Sequence, residues 1–320
     1  KGFFPPRSAW RGDYPENPLR KNFEGMRQGG ANPQPDSTDK PAPAITALKP
    51  DPRLDIGLQP LDRDTLLRHR IAVADGHGSV NYFRSDIGSK LAVERALDSA
   101  EIFCRDIKKE QLYDNKSSDA LMEQLSKSII NSWRSAVREH FDANPFKEDE
   151  IAPLADKYKK RYQNKKNIES VYGTTLILAV ITNDYWFAVQ IGDGNISVAS
   201  LKGEDGEAEW RVPVEKDERC FLNATTSLCD SDAIDEFHYC LEPADPGGAP
   251  DAVFLSTDGI EDSFPVNRNE EYVFKLYESI AKNLGDDNLL KEYLENFSRL
   301  GSGDDCSVAG IFKTDMFEEG

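Results

Sequence analysis

Four acidic turns stand out in the sequence, each beside a short apolar run. Residues 71–74 run into Asp75-Gly76-His77-Gly78, and 185–191 into Gly192-Asp193-Gly194. Residues 252–255 lead through Ser256-Thr257 into Asp258-Gly259-Ile260-Glu261-Asp262, and Gly301-Ser302-Gly303-Asp304-Asp305 leads into 306–312. Each apolar run reads as a buried strand. A carboxylate fixed at a strand end suits a hard divalent cation such as Mg²⁺ or Mn²⁺, and a glycine beside it lets its own carbonyl approach the same ion. Taken singly, each turn also fits a plain strand ending, where Asp-Gly is common. Four such clusters, far apart in sequence, could gather at one end of a sheet. Carboxylates gathered without cations would repel and raise one another's pKa, so convergence implies bound metal.

His77 admits three readings from its residue type: a ligand, a hydrogen-bonded core residue, or a general acid with a pKa near 6.5. His69, His140 and His238 lack acidic partners at ligand spacing and read as structural. Thr174 and Thr175 read as strand residues packing near the site.

The elements that must position these residues follow from periodicity. After the first turn, Ser85-Asp86 is a candidate helix cap, and apolar positions from Leu91 to Phe103 have helical spacing. Leu121, Leu125, Ile129, Trp133 and Val137, at steps of four, predict a second helix over 118–141. A hairpin is predicted from 174–181, through Thr182-Asn183-Asp184, to 185–191. Residues 223–236 are polar and turn-rich. Two further helices are predicted over 270–284, with Asn267 as cap, and over 288–300. Strands at both ends with helices in the middle and near the end exclude a βαβ repeat. They predict an α+β fold with a central β-sandwich of two antiparallel sheets flanked by antiparallel helix pairs. Residues 1–65, rich in Pro, Gly and Asn, predict an extended or partly disordered arm with scattered aromatics (Phe3, Phe4, Trp10, Tyr14, Phe23) as docking anchors. Residues 66–316 form the predicted domain.

Bulk properties narrow the function class. A net charge of −18 argues against a general nucleic-acid binder. No apolar run approaches a membrane span. Cys104, Cys220, Cys229, Cys240 and Cys306 are odd in number and lack a CxxC pair, which predicts free thiols in a reducing, cytoplasmic setting. The chain begins at Lys1, which predicts that its natural start lies upstream.

Ala74-Asp75-Gly76-His77-Gly78, Gly173-Thr174-Thr175, Gly192-Asp193, Thr257-Asp258-Gly259-Ile260 and Asp304-Asp305-Cys306-Ser307 resemble, in order and approximate spacing, the motifs of metal-dependent serine/threonine phosphatases of the protein phosphatase 2C type. Ser79 to Val93 and Asn223 to Cys229 are similar to its bacterial branch. The resemblance implies the same sandwich fold and hydrolysis of phosphoserine and phosphothreonine in proteins phosphorylated by a Ser/Thr kinase. It implies water activated by two Mn²⁺ or Mg²⁺ ions. Asp75 would be the bridging ligand with the Gly76 carbonyl on one ion, Asp258 and Asp304 would serve the other, and Asp193 and Asp262 a weaker third ion. It also gives His77 the general-acid role and places 223–236 near a flap that shapes substrate access. Residues 157–166, the one basic cluster, are either a solvated face or a patch that steers phosphoproteins. The resemblance fails at the start. The family opens with a strand carrying a phosphate-binding Arg and an acidic ligand. Asp51, Asp55, Asp62 and Asp64 lie upstream of Asp75 with no apolar strand to introduce them, and Arg11 and Asp13 are another weak candidate pair. The alternative function is therefore a catalytically weak phosphatase-like binding or regulatory module.

Overall fold

The computed structural model describes residues 69–317, apart from 108–110, 112–114, 164–166, 203–206, 221–223, 245–248 and 266–267, together with the segments 44–47 and 58–60. Among the described residues, three strands come first, β1 (Ala44–Ala47), β2 (Leu58–Pro60) and β3 (His69–Ala74). Helices α1 (Ser85–Asp106), α2 (Asn115–Ala143), α3 (Glu148–Ile151) and α4 (Asp156–Gln163) follow. Then come β4 (Leu176–Ile181), β5 (Tyr185–Ile191), β6 (Asn195–Lys202), β7 (Glu207–Arg211), β8 (His238–Pro243) and β9 (Ala252–Ser256). The short α5 (Asp258–Glu261), α6 (Asn269–Lys282), α7 (Asp287–Phe297) and β10 (Val308–Phe312) complete the order.

The strands form two sheets, β1-β3-β4-β5-β8 and β2-β10-β9-β6-β7. Every pairing is antiparallel except β2 against β10, which is parallel. A parallel pair needs a long crossover, and these two strands are separated by nearly the whole domain. Both β1 and β2 fall inside the stretch read as an arm. The aromatics proposed as anchors, together with Arg11, Asp13, Asp51, Asp55, Asp62 and Asp64, lie outside the described residues.

Strand side chains alternate between faces, and here both faces are covered. Ile71, Val73, Ile177, Ala179, Val253, Leu255, Ala309 and Ile311 fill the space between the sheets. The alternate residues Ala72, Leu178, Val180, Phe187 and Val189 pack outward against α1 and α2, whereas Phe254, Val308 and Phe312 pack against α6 and α7. That two-sided burial is why these strands read as continuous apolar runs. Trp133 of α2 is fully buried, and its Nε1 donates to the Gly88 carbonyl of α1 at 3.0 Å. This contact joins the second half of α2 to the start of α1, as an antiparallel pair requires.

Two expected caps differ from prediction. The Ser85 hydroxyl donates to the His77 carbonyl at 2.9 Å, and the N-cap position falls on Arg84, which makes no side-chain cap bond. The helix therefore starts where the acidic turn needs a tether. Asn267 lies outside the described residues, and Arg268 occupies the N-cap of α6. Among the described residues, no helix is long and apolar enough to cross a membrane.

A β-carbon added at Gly88 would overlap the Tyr172 carbonyl. Gly88→Ala gains about 1 kcal/mol of helix propensity, but forcing a methyl against immobile backbone costs about 1–3 kcal/mol. The clash should win. The variant should unfold at lower urea concentration with an unchanged m-value, and an unchanged or higher midpoint would refute the packing argument.

Candidate functional site

The register of the strands carries the acidic turns to one edge of the sandwich. In the first sheet Val73 pairs with Ile177 and Leu176 with Ile191, so the end of β3, the start of β4 and the end of β5 lie together. In the second, Ser256 pairs with both Asn195 and Val308, which aligns the end of β9 with the starts of β6 and β10. Gly192-Asp193-Gly194 crosses between the two sheets at this edge.

Backbone and hydroxyl bonds fasten each turn to the next. Asp75 N–H donates to Thr175 Oγ1 at 3.0 Å, Thr175 N–H donates to the Asp75 carbonyl at 2.9 Å, and Thr174 Oγ1 donates to the same carbonyl at 2.8 Å. The two threonines thus hold Asp75 in place, as a structural reading of them expects. Gly192 has φ +104°, a left-handed conformation, and an added β-carbon would lie 2.5 Å from Thr175 Cβ. Only glycine satisfies both conditions. An added β-carbon at Gly194 would lie 2.6 Å from the Ser256 carbonyl, and one at Gly259 would overlap the Asp305 carbonyl. Ser263 Oγ donates to the Gly259 carbonyl at 2.7 Å and accepts from Ser302 N–H at 3.1 Å, which ties the Asp258 turn to the loop before Asp304. Gly303, at φ +77°, then turns the chain into Asp304.

Asp75, Asp193, Asp258, Asp262 and Asp304 therefore share one edge. Burial pushes the Asp262 carboxyl up, and the negative charges of Glu261, Asp193 and Asp304 push it in the same direction. Among the described residues, no three His, Cys, Asp or Glu side chains are arranged to hold one cation. The donor set fits Mn²⁺ or Mg²⁺ by its chemistry, being entirely oxygen.

His77 sits against Tyr82, with ring centroids 4.8 Å apart, and its Nε2 lies 2.8 Å from Ser227 Oγ. Ser227 is buried; its Oγ accepts from Thr174 N–H at 3.2 Å and lies 3.1 Å from the Thr174 carbonyl as donor. Thr226 Oγ1 accepts from Gly192 N–H at 2.9 Å. Thr226 and Ser227 lie in the stretch Asn223 to Cys229 that is similar to the family's bacterial branch, but no pattern there marks these contacts, and Ser263 carries no sequence signal.

The segment bearing Thr226 and Ser227 is anchored by charges. Arg219 pairs with Asp217 at 2.7 Å and with Glu236 at 3.5 Å, and Asp230 accepts from Ser227 N–H at 2.9 Å. The Arg219 guanidinium holds Asp217 down to about 2. His238 Nε2 lies 3.4 Å from Asp217 Oδ2, so His238 has an acidic partner in space that it lacks in sequence. His140 Nδ1 lies 2.9 Å from the Tyr172 hydroxyl, a structural contact. All five cysteines are free thiols.

The family model for protein phosphatase 2C matches residues 62–297. No curated protein matches the sequence. Among solved structures, the chain is similar to the serine/threonine phosphatase Stp1 from Staphylococcus aureus, at 12% identity over 86% of this chain and 90% of that one, with a TM-score of 0.45. It is also similar to the catalytic domain of the serine threonine protein phosphatase PstP in complex with two manganese ions, at 14% identity over 84% and 97%, TM-score 0.40. A third is PppA, a regulatory component of T6SS in Pseudomonas aeruginosa, at 14% identity over 75% and 84%, TM-score 0.40.

Burial, followed by Asp230 and Asp232, pushes the Glu236 carboxyl up to about 6 from 4.5. An acid whose folded pKa is raised costs stability as pH rises from its unfolded value through its folded one. Glu236→Gln should therefore raise stability by about 1–2 kcal/mol at pH 8 and change it little near pH 4. Urea midpoints at both pH values check this, and equal shifts at the two would refute it.

Proposed function

The chain belongs to the protein phosphatase 2C family of protein serine/threonine phosphatases, and from that premise we propose that it hydrolyses phosphoserine and phosphothreonine in proteins with the help of bound Mn²⁺ or Mg²⁺. The observation that carries this reading is the gathering of the acidic strand ends at one sandwich edge, beside His77. Asp75 and the Gly76 carbonyl would hold one ion and share Asp75 with a second held by Asp258 and Asp304; Asp193 and Asp262 would hold a weaker third. Such ions supply positive charge to the phosphoryl oxygens and lower the pKa of the attacking water.

Phosphate-ester hydrolysis relies on positioning and charge stabilisation. The chain's own contribution to leaving-group departure is His77. His77 Nε2 lies 2.8 Å from Ser227 Oγ, whose hydroxyl also reaches the Thr174 carbonyl and Cys229 Sγ. That contact orients the ring, and His77 would carry a proton to the departing serine or threonine oxygen as the P–O bond breaks. His77 is the proposed catalytic acid and Ser227 its positioning residue.

The alternative, a catalytically weak binding module, draws support from the lack of a converged three-donor group among the described residues. Turnover separates the two readings. With Mn²⁺ or Mg²⁺ the chain should hydrolyse a phosphothreonine peptide, and excess chelator should abolish the activity. Asp75→Asn and Asp258→Asn should each lower kcat on the order of a hundredfold or more while leaving the thermal transition near wild type. Full activity in chelator would sink the metal-dependent reading.

His77→Ala should slow phosphopeptide hydrolysis on the order of a hundredfold, and aryl phosphate hydrolysis much less, because an aryl leaving group needs little protonation. Ser227→Ala should reproduce part of that split, and Ser227→Thr should restore it. Equal losses on both substrates would assign both residues to structure alone.

A further inference from the structure

The acidic protein contains one dense basic element, α4, with the sequence Asp156-Lys157-Tyr158-Lys159-Lys160-Arg161-Tyr162-Gln163. In a chain with 57 acidic and 39 basic residues, a cation normally finds an acidic neighbour. Arg70, Arg84, Arg138, Arg211, Arg219 and Arg268 all do so. Lys157, Lys159 and Arg161 form no ion pair among the described residues. The Lys157 ammonium instead lies over the Tyr158 ring at 4.6 Å, and the Arg161 guanidinium over the same ring at 5.7 Å. Both side chains are exposed.

The helix is firmly mounted beside the candidate site. Tyr162 is buried between Phe83 and Phe146, at 6.0 and 5.8 Å. Its hydroxyl lies 3.4 Å from the Asn81 carbonyl. Asn81 belongs to the turn Val80–Tyr82, whose Tyr82 packs on His77. Arg84 braces the same region, pairing with Glu150 at 2.8 Å and donating to the carbonyls of Asn144 and Pro145. The same turn exposes Val80, with 60% of it accessible, an apolar surface that a bound chain could cover.

We infer that α4 is a docking surface for an acidic stretch of the phosphoprotein substrate, flanking the phosphorylated residue. The inference rests on the phosphatase reading of the site and adds a substrate preference to it. Charge complementarity selects this occupant. An acidic peptide gains three unpaired cations, whereas a long polyanion such as nucleic acid would meet the repulsion of a chain with net charge −18 beyond the patch. Attraction at such a rim acts on encounter and affinity and leaves the chemical step alone.

The test measures binding separately from turnover. A labelled phosphothreonine peptide with flanking Asp and Glu, and its Asn and Gln counterpart, are titrated with the full chain in excess chelator, read by fluorescence anisotropy. The acidic peptide should bind roughly tenfold tighter at low salt, as three surface charge pairs allow. The preference should shrink as salt is raised. It should vanish in the triple variant Lys157→Gln/Lys159→Gln/Arg161→Gln, whose kcat on an aryl phosphate with Mn²⁺ should match wild type. The double variant Lys157→Gln/Lys159→Gln, which keeps Arg161 over Tyr158, should show an intermediate loss if the triple variant is poorly folded. Equal affinity for the two peptides, or a preference that survives the triple substitution, overturns the proposal. Tighter binding of a DNA oligonucleotide or of anionic vesicles than of the acidic peptide, lost in the variant, overturns it in favour of those partners. A chain inactive on every phosphoester that keeps the preference would refute the phosphatase reading and leave the docking surface standing.

Discussion

The crossing from one sheet to the other at Gly192-Asp193-Gly194 is the constraint on which the site depends. Gly192 has no room for a side chain against Thr175, and Thr175 in turn brackets Asp75. Gly194 sits as closely on the end of β9, one residue before the turn to Asp258. A bulkier crossing would part the sheets at this edge, and the Asp75 turn would separate from the Asp258 and Asp304 turns. Close packing of backbone on backbone, with no intervening side chain, is what lets carboxylates from both sheets share one rim.

That rim is electrostatically costly. Asp262 shows it most plainly, since burial and three negative neighbours all disfavour its ionised form. Lys216, paired with Glu261, tempers the repulsion from one side. Elsewhere among the described residues, several buried charges sit in bonded pairs. Arg84 with Glu150 and Arg219 with Asp217 each hold the carboxylate below its ordinary pKa. Carboxylates gather along the rim, and Lys157, Lys159 and Arg161 of α4 form no ion pair among the described residues. The Val80–Tyr82 turn links the two, since Tyr162 of α4 reaches the Asn81 carbonyl and Tyr82 packs on His77.

Much of this was legible in the chain. The apolar runs at 71–74, 176–181, 185–191 and 252–255 announced strands buried on both faces, and the step-of-four spacing of Leu121, Leu125, Ile129, Trp133 and Val137 announced α2. The acidic turns could be found because Asp-Gly after an apolar run is a local pattern. Other parts left no local pattern. The β1 and β2 segments, Ala44–Ala47 and Leu58–Pro60, are too short to show a period, and their pairing partners lie far along the chain. Ser85 looks like a helix cap in sequence, but the nearby His77 carbonyl claims its hydroxyl.

The sequence by itself determined which residues could do chemistry, because a carboxylate, an imidazole and a glycine carry their donors and freedoms wherever they lie. It also determined the class of fold, because burial imposes periodicity on the residues that undergo it. Tertiary structure decided which of those groups act together and what holds them. Ser227 became the partner of His77, Thr175 the clamp on Asp75, Ser263 the tie between two acidic turns, and Asp217 the neighbour of His238. Hydrogen bonds and charge pairs act over a few ångströms of space, and the residues they join here are separated by tens of positions along the chain. No spacing in the sequence encodes that distance until the sheets are stacked.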